Sequence, residues 1–308
     1  MSEITSKLTA IRDNLNMVKN SNNIAFENKN TATVNVLTAQ TESIENIYFK
    51  VPSSGIKFNN AENIDLTNFD TSDVTNMNGM FGSCSNLTTL DVSNFNTNNV
   101  TNMSGIFNGC TKLINLDLSG WDVSNVTTFY NMFASCSKLE SINLSGWNTS
   151  GCTTMYGMFS YCKKLTSLDL SSFDTSNVNS LYGMFQNCEE LQSINIKHFN
   201  TSKVTTLQNL FTYCSSLTSI DLSGWDITKV TDVGGLFQYC SNLQTVNVTG
   251  WDVSNLTNAW TYNSVFYKCT SLNKLILGSV SQSNYDWWLA RLTDAGIQAN
   301  VTIEATIV

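Results

Sequence analysis

The 308-residue chain is 42% hydrophobic and 13% charged, and 16 Lys and Arg against 24 Asp and Glu give it a net charge of -8. That apolar content suffices for a substantial core and excludes wholesale disorder. The acidic balance repels phosphate, which excludes nucleic acid and an anionic membrane surface as partners, and no apolar run approaches the ~18 residues a spanning helix needs, which excludes membrane insertion.

The first predicted element is an N-terminal amphipathic helix over residues 1–25. Ile4, Leu8, Ile11, Leu15 and Val18 follow the 4, 3, 4, 3 spacing of a coiled-coil seam. Two heptads suit either a homo-oligomer joined through residues 4–18 or a helix packed on the element that follows. The segment lacks the continuous apolar stretch of a Sec signal peptide, so export by another route, or prior removal of a signal, is expected. Residues 26–63 are read as an N-terminal cap.

Residues 64–274 are a repeat. Of nine cysteines, Cys84, Cys110, Cys136, Cys162, Cys188, Cys214 and Cys240 are 26 residues apart, Cys269 follows after 29, and only Cys152 lies outside the series. Eight copies start at Ile64, Leu90, Leu116, Ile142, Leu168, Ile194, Ile220 and Val246, with the consensus LDLSxWDTSxVTxMxxMFxxCxxLxx. A fixed period of this size marks a solenoid. Within each copy, Leu87 to Val92 alternates apolar and polar as a short strand, Asn94 to Asn98 is rich in turn formers, and Val74, Met77, Met80, Phe81 and Cys84 form the apolar stripe of a short helix. The predicted fold is an α/β repeat, with a parallel sheet on one wall and short helices on the other. Eight or nine inward side chains contribute roughly 12–27 kcal/mol per coil, against about 1–2 kcal/mol per residue to order the backbone. A lone coil should not fold, so neighbours must supply the missing burial.

The units MFGSCSNLTTLDVSNFNTNNVTNM and MFASCSKLESINLSGWNTSGCTTM closely resemble the BspA-like leucine-rich repeats, in the 26-residue form found in many bacterial surface proteins. The resemblance implies a right-handed leucine-rich-repeat-like solenoid and a role in adhesion or recognition. Residues 275–308 hold the segment YDWWLARLTDAGIQANVTIEATIV, which resembles the helix-plus-strand cap that closes such arrays. The first twenty residues resemble the leader of some phage or prophage tail-associated proteins of Gram-positive bacteria, which leave the cell by lysis.

The cysteine column reads as stacked, buried, reduced thiols, and without a CxxC pair or histidine cluster no metal or cofactor is expected. The column Phe69, Phe95, Trp121, Trp147, Phe173, Phe199, Trp225 and Trp251 reads as a buried spine rather than a sugar-stacking platform. Alternation points Asp65, Asp91, Asp117, Asn143, Asp169, Asn195, Asp221 and Asn247 outward. Asp91, Asp117, Asp169 and Asp221 then form either a docking strip or a solvated face with side-chain ladders. Asp70, Asp122, Asp174, Asp226 and Asp252 lie in turns and should cap backbone amides. Tyr130, Tyr156 and Tyr182 share one position in successive coils, and Trp260 and Tyr262 fall in the three-residue insertion. These five are candidate binding anchors, with packing against neighbouring coils as the alternative. Lys197, His198 and Lys203 interrupt the acidic array. A single histidine, with no nucleophile elbow and no phosphate loop, gives no catalytic residues, so an enzyme is not expected. The expected function is non-enzymatic recognition, at a bacterial surface or on a phage tail, of a protein or glycan on a cell surface. The alternative is a structural component in which the solenoid is a spacer and the N-terminal helix docks or oligomerises.

Overall fold

Each 26-residue unit repeats the same residue types along the same path, so hydrogen bonds leaving one unit land on equivalent groups of the next. The computed structural model describes residues 49–58, 60–256 and 264–308. The N-terminal helix with its coiled-coil seam, most of the cap at 26–63, and Trp260 and Tyr262 lie outside these residues.

The described strands form three parallel sheets. β1 (Phe49–Lys50) pairs with β2 (Phe69–Asp70). β3 (Asn115–Asp117) pairs with β4 (Ser141–Asn143), placing Leu116 opposite Ile142. The third sheet runs in the order β5 (Ser219–Asp221), β6 (Thr245–Asn247), β7 (Lys274–Val280) and β8 (Thr302–Ile307). Ile220 faces Val246 one repeat later, whereas Val246 faces Leu275, so the surplus residues of the last copy are left out of the pairing. The predicted unbroken sheet is therefore interrupted. Inward residues Leu116, Ile220 and Val246 are buried, but Leu90, Leu168 and Ile194 are only half-buried, and no strand forms around those three. Pairing holds where neighbouring units cover the inward side chain.

The second wall differs from the prediction of short helices. A column of parallel bridges links Asn76, Asn102, Thr128, Thr154, Ser180, Thr206 and Asp232, each to the next. After it the chain makes successive tight turns, with amides alternating between two directions. Met80, Gly82 and Cys84 donate three residues back, to Met77, Gly79 and Phe81, while Met77, Gly79, Phe81 and Ser83 donate to Asn102, Ser104, Ile106 and Asn108 of the next unit. Two positions per unit take positive φ, Gly79 and Ser83 in the first copy and Asn131 and Ser135 in the third. Left-handed residues at that spacing stop an α-helix, and amides turned along the stack give the wall a ladder of its own. The apolar spacing that suggests a helix instead serves these turns, since Met77, Met80, Phe81 and Cys84 are all buried.

Between the walls lies one continuous core. Phe81, Phe107, Phe133, Phe159, Phe185, Phe211, Phe237 and Phe266 stack in a file, neighbouring centroids 5.4–6.0 Å apart. Phe69, Phe95, Trp121, Trp147, Phe173, Phe199, Trp225 and Trp251 are buried in a second file. The indole amines of Trp147, Trp225 and Trp251 donate to Leu118, Ile196 and Leu222 carbonyls of the preceding unit at 3.0–3.1 Å. That bond fixes the spine in the core and leaves its rings no access to a ligand. At the C-terminal end, α1 (Gln282–Asp294) starts at Ser281, whose hydroxyl accepts from the Asn284 amide. Its buried Trp288 lies 6.1 Å from Trp251 and 5.9 Å from Phe266, so one side chain covers the last members of both files.

Candidate functional site

The cysteine column is built to be inert. Each thiol donates to a phenylalanine carbonyl of the preceding unit, as Cys110 does to Phe81 and Cys136 to Phe107, both at 3.1 Å. All nine cysteines are free and buried. Burial pushes the thiols of Cys136, Cys152, Cys188 and Cys269 up to about 12. Among the described residues no group of three His, Cys, Asp or Glu side chains is arranged to hold a metal ion.

The strand-wall carboxylates turn back on their own chain. Asp91, Asp117, Asp169 and Asp221 accept the amides of Ser93, Ser119, Ser171 and Ser223 at 2.9–3.0 Å. Asn143 and Asn247 accept from Ser145 and Thr249 in the same way. Bonds from the serines hold Asp91, Asp117 and Asp169 below the ordinary carboxylate value. At Asp221 burial opposes the shift, but Ser223 and Lys197 outweigh it. Part of each carboxylate is thus committed locally, and Asp221 also pairs with Lys197 at 2.9 Å. In the turns, Asp70, Asp122, Asp174, Asp226 and Asp252 cap Ser72, Ser124, Ser176, Thr228 and Ser254. In the basic interruption Lys203 donates to Asn177 Oδ1 at 2.6 Å, and exposed His198 stands edge-on to Phe199.

The three tyrosines come together on the turn wall. Tyr130 and Tyr156 stack at 4.8 Å and Tyr156 and Tyr182 at 4.5 Å, nearly parallel. Their carbonyls accept from Gly105, Asn131 and Gly157 of the preceding units, which sets the rings at successive levels. Asn209 Nδ2 donates to the Tyr182 hydroxyl at 3.1 Å. Glycine at 157 is required, because it has φ +58 and Asn131 Oδ1 fills the space a Cβ would take. Tyr130 remains 43% exposed while Tyr156 and Tyr182 are half-buried. Since the rings cover one another's faces, the ladder offers a partner ring edges and hydroxyls. Burial, then the flanking tyrosines, raises the Tyr156 phenol above its ordinary value.

A second strip escapes the sequence reading. Tyr161, Tyr213 and Tyr239 precede repeat cysteines, and Tyr161 and Tyr213 are 43% and 40% exposed. Tyr213 and Tyr239 stack at 4.2 Å, and Tyr267 stands edge-on to Tyr239 at 5.4 Å. The available signal was the recurrence of Tyr immediately before Cys at 161, 213 and 239, broken by Asn187.

Comparison with curated proteins gives no match. Two stretches, residues 53–168 and 154–281, match a single family model described as a Mycoplasma protein of unknown function, DUF285. The matched stretches span most of the chain and coincide with the stacked units, and the chain belongs to the DUF285 family.

Proposed function

We propose that the chain is a non-enzymatic recognition protein, its units BspA-like leucine-rich repeats wound as a right-handed solenoid, and that it contacts a protein or glycan on a cell surface. The observation that carries this reading is the exposed tyrosine ladder Tyr130–Tyr156–Tyr182. Large aromatic side chains left at a surface, on a rigid support, are typical binding anchors. The support is rigid because each ladder residue is held by a backbone bond from the preceding unit. Locked, protonated thiols favour recognition over nucleophilic chemistry, since thiolate is the reactive form. Placement at a bacterial surface or on a phage tail belongs to the same proposal, and a family described from Mycoplasma fits a bacterial setting.

The test replaces Tyr130, Tyr156 and Tyr182 with Ser together and measures binding of the full chain to whole cells by flow cytometry. A drop of about tenfold or more with an unchanged melting temperature supports the reading. Unaltered binding by a folded variant removes the ladder as the contact.

A further inference from the structure

The position before each repeat cysteine is occupied in turn by Ser83, Gly109, Ser135, Tyr161, Asn187, Tyr213, Tyr239 and Lys268, all with φ between +58 and +79. That conformation suits Gly109 and Asn187 and is strained for a bulky ring. Tyrosine in this backbone conformation, with its ring exposed, works against stability, and strain held at a surface points to a use for the ring there.

The strip has a gap. Tyr213 has a ring partner in Tyr239, the two planes within 5°. Tyr161 has Ser135 and Asn187 as its column neighbours, so no ring of the column covers either of its faces. Asn187, between Tyr161 and Tyr213, is only 8% exposed. Its backbone amide donates to the Thr212 carbonyl, but among the described residues none hydrogen-bonds its side-chain amide. With units about 4.8 Å apart, Tyr161 and Tyr213 stand roughly 9–10 Å from one another. That leaves about 4.5–5 Å on each side of a single inserted ring, the lower end of the range for stacked rings.

We infer that Tyr161, Asn187 and Tyr213 form a notch that takes one neutral pyranose ring of a glycan, stacked between the two tyrosines with its hydroxyls on the Asn187 amide. The inference rests on the reading of the turn wall as a recognition surface and names a ligand for a part of it separate from the ladder. Asn187 selects a sugar over an aromatic side chain. A buried amide needs both a donor and an acceptor opposite it, which adjacent ring hydroxyls supply and the edge of a phenyl or indole ring does not. Neutrality follows from the surroundings. The charges that follow the notch in sequence are cancelled by pairing across units, Lys163 with Glu189 at 2.8 Å and Lys164 with Glu190.

The experiment titrates the full chain with neutral trisaccharides of N-acetylglucosamine, galactose and mannose, followed by tyrosine fluorescence and chemical-shift changes. Saturable binding of at least one is expected. Tyr161→Asn, Tyr213→Ser and Asn187→Ala should each weaken it about tenfold or more, while Tyr156→Ser leaves it unchanged. Tyr161→Asn should melt at the same temperature as the parent or higher, because Asn tolerates the left-handed backbone; a merely structural tyrosine would lower it. Absence of binding to all three sugars overturns the inference, as does binding indifferent to Tyr161→Asn and Asn187→Ala. Cell binding that needs Tyr161 yet survives periodate oxidation of the cell surface gives the notch to a protein side chain, and also overturns it. Cell binding lost on replacing the ladder, with no sugar bound, removes the notch and leaves the wider recognition reading in place. Sugar binding with an inert ladder does the reverse.

Discussion

Thr201 shows how closely individual side chains are fitted to the repeat. Thr71, Thr97, Thr149 and Thr175 occupy its column and donate to the carbonyls of Asn96, Asp122, Asp174 and Asn200. Thr201 is buried and its hydroxyl has no partner. The same column tolerates Val123, Ile227 and Val253, all buried. Thr201→Val should therefore leave unfolding free energy unchanged or raise it, whereas Thr175→Val should cost about 1 kcal/mol, both read from urea denaturation. The thiols give a chemical counterpart. With burial holding them protonated, iodoacetamide at pH 8 should leave the folded chain almost unmodified and label every cysteine once urea is added, mass spectrometry counting the adducts. For the strand-wall aspartates the sign follows from their lowered values in the folded state. Such groups stabilise the fold above the ordinary carboxylate value of about 4, and that contribution is lost as pH falls through the lowered folded value. Melting temperature should be level from pH 7 to about 5 and drop below about 4. Replacing Asp91, Asp117 and Asp169 together by Asn, which already caps at Asn143, should make the drop shallower; an identical acid profile would exclude these carboxylates as its source.

Among elements, α1 is the one whose loss should be felt furthest. Trp288 covers Trp251 and Phe266, so Trp288→Ala exposes the ends of both aromatic files and should cost about 3–5 kcal/mol in denaturation experiments. The strand path, the buried spine and the aspartate caps could be read from the sequence, because period-two alternation and turn-forming Asp and Ser act locally. The second wall could not. Met77, Met80, Phe81 and Cys84 are spaced as a helix would space them, and what cancels the helix is the positive φ at Gly79 and Ser83 together with amides aimed at the next unit. Ser at a left-handed position carries no clear mark, and bonds to a residue 25 positions away do not register in a local pattern. Tyr161 and Tyr213 were overlooked for a related reason, since Tyr is an unlikely occupant of that backbone conformation.

Over the whole molecule the 26-residue period carries more information than any single motif, because core, caps and both ladders recur on it. Its energetic meaning is that neighbours stabilise neighbours. Deleting residues 168–193, one full unit, should leave a cooperative unfolding transition with a lower midpoint. Deleting half a unit should abolish the folded circular dichroism and near-ultraviolet signals, and a half-unit deletion that folds normally would refute register as the organising constraint. The pairing of Val246 with Leu275 already shows the rule at work, since the extra residues of that copy are excluded from the ladder and its flanks stay aligned. Changes in length are thus confined to whole steps of about 4.8 Å or to excursions at the rim. A gene encoding such a chain can vary the reach of its product by gaining or losing identical modules, and can diversify the rim, without either change disturbing the other.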